Sequence, residues 1–181
     1  MQVIILVILL AVIAIYTLLV YNRLIKLENL SIEAWSGIDV QLKKRHDLIP
    51  RLVEIVKGYA KHEQTLLESI AMLRAKAMSA SDIKEQEQTQ IEISKNLANL
   101  VVVVENYPEL KANQNFLELQ KEISVVEHDL QRARRYYNGT VRNLNTLVQQ
   151  FPSSLVASIF GKTRKQFFDI KNETERSVPT F

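Results

Sequence analysis

Apolar residues recur at alternating steps of three and four from Trp35 to Tyr59, and this spacing restricts the possible fold more than any other feature of the chain. Such spacing places the apolar side chains in one stripe along a helix, as in a coiled coil or a long antiparallel bundle. The stripe continues to Ala77. Gly and Pro number only four each among 181 residues, and so few helix breakers favour long helices over strands. We therefore expect an all-α fold.

A membrane-length apolar run precedes this stripe. Residues 3–20 contain no charged side chain, and as a helix they span about 27 Å, close to the roughly 30 Å thickness of a bilayer core. A cleaved signal peptide is the alternative, but it begins with basic residues and ends at a small-residue cleavage site. Neither feature flanks this run. We predict an uncleaved transmembrane anchor at residues 1–21.

Basic residues flank only the C-terminal side of the run, where Arg23 and Lys26 follow it. By the positive-inside rule, the short N-terminus is expected outside the membrane and the larger domain in the cytoplasm. The flanking charges therefore predict a protein that crosses its membrane once, with the short N-terminus outside.

The breaker residues divide the remaining chain into three long helices and a short C-terminal one. The first helix is predicted to run to Met78, with a kink or restart near Asp47 because Pro50 removes a backbone donor. The second is expected over 82–107, and Pro108 ends it before a linker. The third begins at Asn115 and is expected to continue through Asn138–Gly139, although that dipeptide is typical of hairpin turns.

The end of the third helix and the short fourth one are marked by familiar signals. Pro152 is expected to stop the third helix, and Ser153 or Ser154 to cap the short one. Gly161 suits the position just after its end. The predicted organisation is an anchor followed by a membrane-proximal stalk (22–46), an antiparallel bundle (47–168) and a disordered tail (169–181).

Helix lengths suggest an assembly surface on the stalk. The first helix would be roughly 80 Å long and the second roughly 39 Å, so the second would fold back only to about residue 53. The third would then run away from the membrane again. The stalk would then lack a partner from its own chain and expose an apolar stripe, which is typical of an interaction surface. The candidate residues are Leu27, Trp35, Ile38 and Leu42. Alternatively, the first helix breaks near Pro50 and its first half folds onto the bundle.

Two charged residues, Arg45 and Glu63, interrupt the apolar stripe. A buried unpaired charge is costly, so each must pair, reach solvent or face another subunit. Polar residues on such a seam often fix helix register or oligomer state. The alternative is that both long side chains extend to solvent from the edge of the seam.

Motifs that carry chemistry are not found. There is no cysteine, and no histidine completes the Glu-x-x-His pairs of di-iron bundles. No Gly-x-Ser-x-Gly motif or Gly-rich phosphate loop occurs. The net charge of +3 is small and mixed, unlike that of a nucleic-acid binder. We expect no catalytic residue, cofactor, metal or nucleic-acid partner.

Three separated motifs resemble the LemA family. The first lies within residues 21–63, and the second is ENYPELKAN at 105–113. The third begins with ARRYYN at 133–138 and includes Val141, Asn145 and Phe151–Pro152. The resemblance implies a single-pass protein of the bacterial inner membrane with a helical-bundle domain, and it supplies no activity. Genes of this family often neighbour that of a membrane zinc protease, which implies a possible partner.

These observations together predict a membrane-anchored scaffold or adaptor without catalytic activity, which self-assembles. The alternatives are a sensory or signalling module at the membrane and a regulator of a membrane protease. Because only Met1 and Gln2 precede the apolar run, the sequence offers no outer sensor domain.

Overall fold

The computed structural model describes residues 1–80 and 82–168, except for the side chain of Ile83. Within these ranges the protein contains helices and no strand, so the prediction of an all-α fold is confirmed. The predicted tail at 169–181 lies outside the described residues. The helices are α1 (Gln2–Tyr59), α2 (Gln64–Ser79), α3 (Ile83–Val104), α4 (Pro108–Lys111), α5 (Gln114–Gln149) and α6 (Ser153–Ile159), and a 3-10 turn at Lys61–Glu63 separates α1 from α2.

Helix α1 continues through Pro50, so a restart of the helix near Asp47 is wrong. Proline lacks the N–H that would bond to the carbonyl four residues earlier, which here belongs to His46. Arg74 of α2 supplies the missing donor, because its Nε lies 2.7 Å from the His46 oxygen. A side chain from a neighbouring helix thus satisfies the carbonyl that Pro50 leaves without a donor.

The first helical segment breaks instead at Ala60, where the backbone leaves the helical region. Gly58, two residues earlier, lowers helix propensity at this point. The predicted helix from Leu24 to Met78 is therefore two helices, and α2 folds back so that Arg74 lies beside His46. This early turn adds one antiparallel pass to the bundle, and so it reverses the direction expected for the last long helix.

Most other boundaries agree with the sequence prediction. Helix α5 runs unbroken through Asn138–Gly139, and Gly161 follows α6 with a φ of +62°. The N–H groups of Gly161 and Lys162 bond to the carbonyls of Ser158 and Ala157, a Schellman motif. Ser153 does not cap α6, because its hydroxyl donates to the carbonyls of Leu147 and Gln150 near the end of α5. The predicted linker contains the short helix α4.

The chain divides into two compact units that each take segments from α1 and α5. One unit comprises residues 1–39 and 132–167, and the other comprises 40–131 together with Phe168 among the described residues. These ranges differ from the predicted division at residues 22–46 and 47–168. In the second unit, α1, α2, α3, α4 and α5 bury a core of Ile49, Leu52, Val56, Ala60, Leu67, Ile70, Ala77, Ile93, Leu97, Leu100, Val104, Leu110, Phe116, Leu119 and Ile123.

The first unit has a smaller core, formed where the end of α5 and helix α6 pack against α1. Its buried residues are Val20, Leu24, Leu144, Val156 and Ala157. Leu144 packs near Leu24, and the rings of Tyr137 and Trp35 lie 5.2 Å apart, so α5 runs antiparallel to α1 here. The stalk therefore has a partner in its own chain.

The N-terminal part of α1 has no such partner within the chain. Every large apolar residue from Val3 to Leu19 is exposed, and Val20 is the first buried residue of the helix. By length and composition, α1 contains a segment able to cross a membrane. This segment is the candidate anchor.

Candidate functional site

The largest fully buried side chain is that of Arg45, on α1. Its NH1 group donates to the Gln90 side-chain oxygen at 2.8 Å, and its NH2 group donates to the Ser94 hydroxyl at 2.7 Å. NH2 also forms an ion pair of 2.7 Å with Glu127. One guanidinium thus joins α1 to α3 and α5. We call Arg45, His46, Arg74, Gln90, Ser94 and Glu127 the Arg45 cluster.

Burial and charge act in opposite directions on Arg45. Burial lowers the pKa of the guanidinium below its usual value, and the Glu127 carboxylate acts to raise it. Because arginine ordinarily titrates far above physiological pH, the group stays charged. The Glu127 side chain is 30% exposed, so only one member of the ion pair is fully removed from water.

His46 extends the Arg45 cluster on the other side of Gln90. The Gln90 amide nitrogen lies 3.1 Å from His46 Nε2, while the amide oxygen accepts from Arg45. In this orientation His46 Nε2 accepts the hydrogen bond, so the ring is neutral. Burial lowers the pKa of His46, the positive charges of Arg45 and Arg74 lower it further, and Asp47 opposes them in part. The cluster therefore favours a neutral histidine.

Glu63, the second charge predicted on the seam, lies in the 3-10 turn between α1 and α2. Its carboxylate accepts a hydrogen bond of 3.0 Å from the Tyr107 hydroxyl, and this bond raises the pKa of Tyr107. Nearby, the Asn113 amide donates to the Tyr59 hydroxyl at 3.0 Å. These contacts tie both ends of the α3–α5 connection to the turn after α1. Of the two seam charges, Arg45 is buried and Glu63 is half-buried.

The candidate assembly surface is not an exposed stripe. Ile38 and Leu42 are buried, Trp35 is half-buried against Tyr137, and Leu27 packs at the edge of the smaller core. The prediction that these residues lack a partner in their own chain is wrong. Its cause is the turn at Ala60, which brings α5 antiparallel to α1.

Residues 162–166 form a second polar arrangement, which the sequence did not predict. The Asn145 side chain pairs with both backbone groups of Lys165, at 2.9 Å each. The Tyr137 hydroxyl donates to the Gln166 carbonyl, and Lys162 forms an ion pair of 2.6 Å with Glu28. A non-helical segment is thereby held beside α1 and α5. The one available signal was Asn145 within the third motif.

Neither arrangement brings together the groups of a metal centre. Among residues 1–80 and 82–168, no three His, Cys, Asp or Glu side chains are placed to hold a metal ion. An open groove of about 600 Å³ lies between α1 and α5, and its lining mixes both signs of charge with apolar side chains. These residues are Lys44, Asp47, Leu48, Glu118, Lys121, Glu122, Val125 and Val126.

Comparison with known proteins agrees with the three motifs. Residues 34–181 match the model of the LemA family. The chain is 26% identical over 140 residues to Protein LemA of Metamycoplasma hominis, an alignment that covers 75% of this chain and 63% of that protein. The chain thus spans less than two thirds of the length of this relative. Because the family match extends over most of its residues, the chain belongs to the LemA family.

Proposed function

We propose that the protein is a membrane-anchored helical scaffold or adaptor that binds another membrane protein and catalyses no reaction of its own. The observation that carries this proposal is the continuity of α1. One helix of 58 residues joins an apolar segment with exposed side chains to a helical domain with a packed core. Such a helix would tether the domain to a membrane.

The anchoring part of the proposal rests on the exposed residues from Val3 to Leu19. Apolar side chains on all sides of a helix are stable in hydrocarbon and unfavourable in water. We further propose that the helical domain is cytoplasmic, because Arg23 and Lys26 follow the segment. Protease added to intact cells is then expected to leave the domain uncut, and its digestion with cytosolic controls intact would contradict this orientation.

The scaffold part of the proposal rests on the hydrogen bonds that buried polar side chains make within the chain. Arg45 donates to Gln90 and Ser94 of α3 and pairs with Glu127 of α5, and so holds three helices in register. Asn145 and Tyr137 likewise hold a chain segment in place. These groups serve contacts within the chain, and such contacts support a rigid domain whose outer surface is available to partners.

The family resemblance makes a membrane zinc protease one candidate partner, and self-assembly remains a prediction. With Ile38 and Leu42 buried, any self-assembly must use residues other than the predicted stripe.

Affinity isolation of the full chain from native membranes in mild detergent tests the proposal. The matched control is Leu130→Asp, which leaves the anchor intact and places a charge at a fully buried position of the bundle. We expect a membrane protein to be recovered with the native chain and lost with the variant. Recovery of the same proteins with both chains, or of none, would contradict the adaptor proposal.

A further inference from the structure

Helix α6 has one face packed against α1 and an opposite face that is apolar and exposed. Val156 and Ala157 are buried in the smaller core. Leu155 and Ile159, one helical turn apart, are exposed, and Phe151 just before the helix is exposed as well. Leu155 and Ile159 thus form a short apolar stripe on α6, and Phe151 adds a third exposed apolar side chain just before the helix.

The position of α6 beside α1 indicates what this stripe contacts. Val156 and Ala157 share a core with Val20 and Leu24, and the ring of Phe160 lies 4.6 Å from that of Tyr21. Val20 is also where the exposed apolar segment of α1 ends. The contacts of α6 thus cover residues 20–24 of α1, about 6 Å of helix rise. The polar layer on each side of a bilayer core is roughly 5–8 Å thick.

We infer that α6 is an interfacial helix, whose stripe of Leu155 and Ile159, together with Phe151 just before it, inserts into the lipid surface of the membrane that α1 crosses. This inference rests on the proposed membrane anchor. Helices of this kind lie with an apolar face at the boundary between headgroups and acyl chains. Exposed Arg23 and Lys26 on α1 lie at the same level and suit anionic headgroups.

The extent of the stripe favours lipid over a second protein. A stable protein interface buries about 800 Å² on each partner, far more than two side chains on a seven-residue helix and one just before it provide. Leu18 and Leu19, which come directly before Val20 on α1, are exposed and belong to the candidate span. A lipid surface accommodates both areas at once, with α6 as a second membrane contact beside the span.

Single cysteines carrying an environment-sensitive fluorophore test the inference, since the native chain has no cysteine. The full chain is reconstituted in vesicles of phosphatidylethanolamine and phosphatidylglycerol. The label is placed at Leu155, at Val102 as an exposed apolar control in α3, and at Ile8 within the candidate span. Quenching is measured with aqueous iodide and with lipids that carry a spin label near the headgroup or deep in the acyl chain.

We expect the Leu155 label to emit at shorter wavelength than the Val102 label and to be quenched most by the shallow spin label. The Ile8 label is expected to be quenched most by the deep one. If iodide quenches Leu155 as strongly as Val102, or if neither quencher reaches Leu155, then water or protein covers α6 and the inference is wrong while Ile8 still reports the anchor. If Ile8 itself escapes the lipid quenchers, the proposed anchor fails and the inference fails with it.

Discussion

The two parts of helix α1 differ in where their apolar side chains lie. From Val3 to Leu19, large apolar residues occur on every side of the helix and are all exposed. Beyond Val20, apolar residues follow one stripe, and its members such as Ile38, Ile49 and Val56 are buried. The distribution of apolar side chains around a helix, rather than their number, therefore indicates what surrounds it. The first part is built for lipid, and the second for other helices.

The largest expected effect comes from charging the first part. Leu10→Arg with Val12→Arg costs about 2.5–3.5 kcal/mol per arginine for a helix that inserts in a bilayer. We expect this variant to leave the membrane fraction after an alkaline carbonate wash. The matched control is Ile32→Arg with Val40→Arg, at two exposed apolar positions of the second part. Retention of both variants in the membrane would contradict the assignment of the first part of α1 to lipid.

A charge placed in α5 tests the helix packing that surrounds the second part of α1. Leu130 of α5 is fully buried, whereas its neighbour Gln131 is exposed. Leu130→Asp is expected to cost roughly 3–5 kcal/mol, the range for an uncompensated buried charge. Gln131→Asp is expected to change stability by less than about 0.5 kcal/mol. Thermal unfolding measures both, and equal melting temperatures would show that the register of α5 is wrong.

Much of this pattern could be read from the sequence, because helical periodicity depends on local spacing. The stripe of α5 predicted its continuity through Asn138–Gly139, and Gly161 marked the end of α6. The break in α1 could not be placed correctly. Pro50 is a strong local signal, but Arg74, twenty-four residues further along, compensates for it. The residues around Pro50 in the sequence give no indication of such a tertiary hydrogen bond.

The candidate site was predictable to a similar extent. Arg45 was identifiable because it interrupts an apolar stripe. Its partners Gln90, Ser94 and Glu127 were not, because they depend on the mutual register of three helices. The missed turn at Ala60 also reversed the expected direction of α5, and so led to the wrong prediction of an unpartnered stalk.

Removing one member of the Arg45–Glu127 ion pair tests how the second part of α1 is held in the bundle. Glu127→Gln leaves the Arg45 charge buried without its ion-pair partner, and we expect a loss of roughly 2 kcal/mol. This is less than the 3–5 kcal/mol of a fully buried pair, since Glu127 is 30% exposed. Adding Arg45→Met is expected to recover most of the loss in chemical denaturation. A double variant less stable than Glu127→Gln would contradict the view that the residual charge causes the loss.

Acidification is expected to have the smallest effect, through His46. Its pKa in the folded protein lies below the ordinary value, so the unfolded chain binds the proton more readily. Stability is then complete above the ordinary pKa of about 6.5 and declines as the pH falls towards the lower folded value. Between about pH 7 and pH 5, the native chain is expected to lose more thermal stability than His46→Asn. An equal loss in both chains would assign the effect to other groups.

Water accessibility along α1 tests the difference between its two parts most directly. Leu9 and Val40 are almost equally exposed in the protein alone, at 54% and 51%. Each is replaced singly by cysteine in the full chain, which is reconstituted in vesicles and treated with a maleimide that reacts only in water. We expect Val40→Cys to react readily and Leu9→Cys to react only after the vesicles are dissolved and the protein is denatured. Equal reaction of the two cysteines in intact vesicles would contradict the assignment of the first part of α1 to lipid.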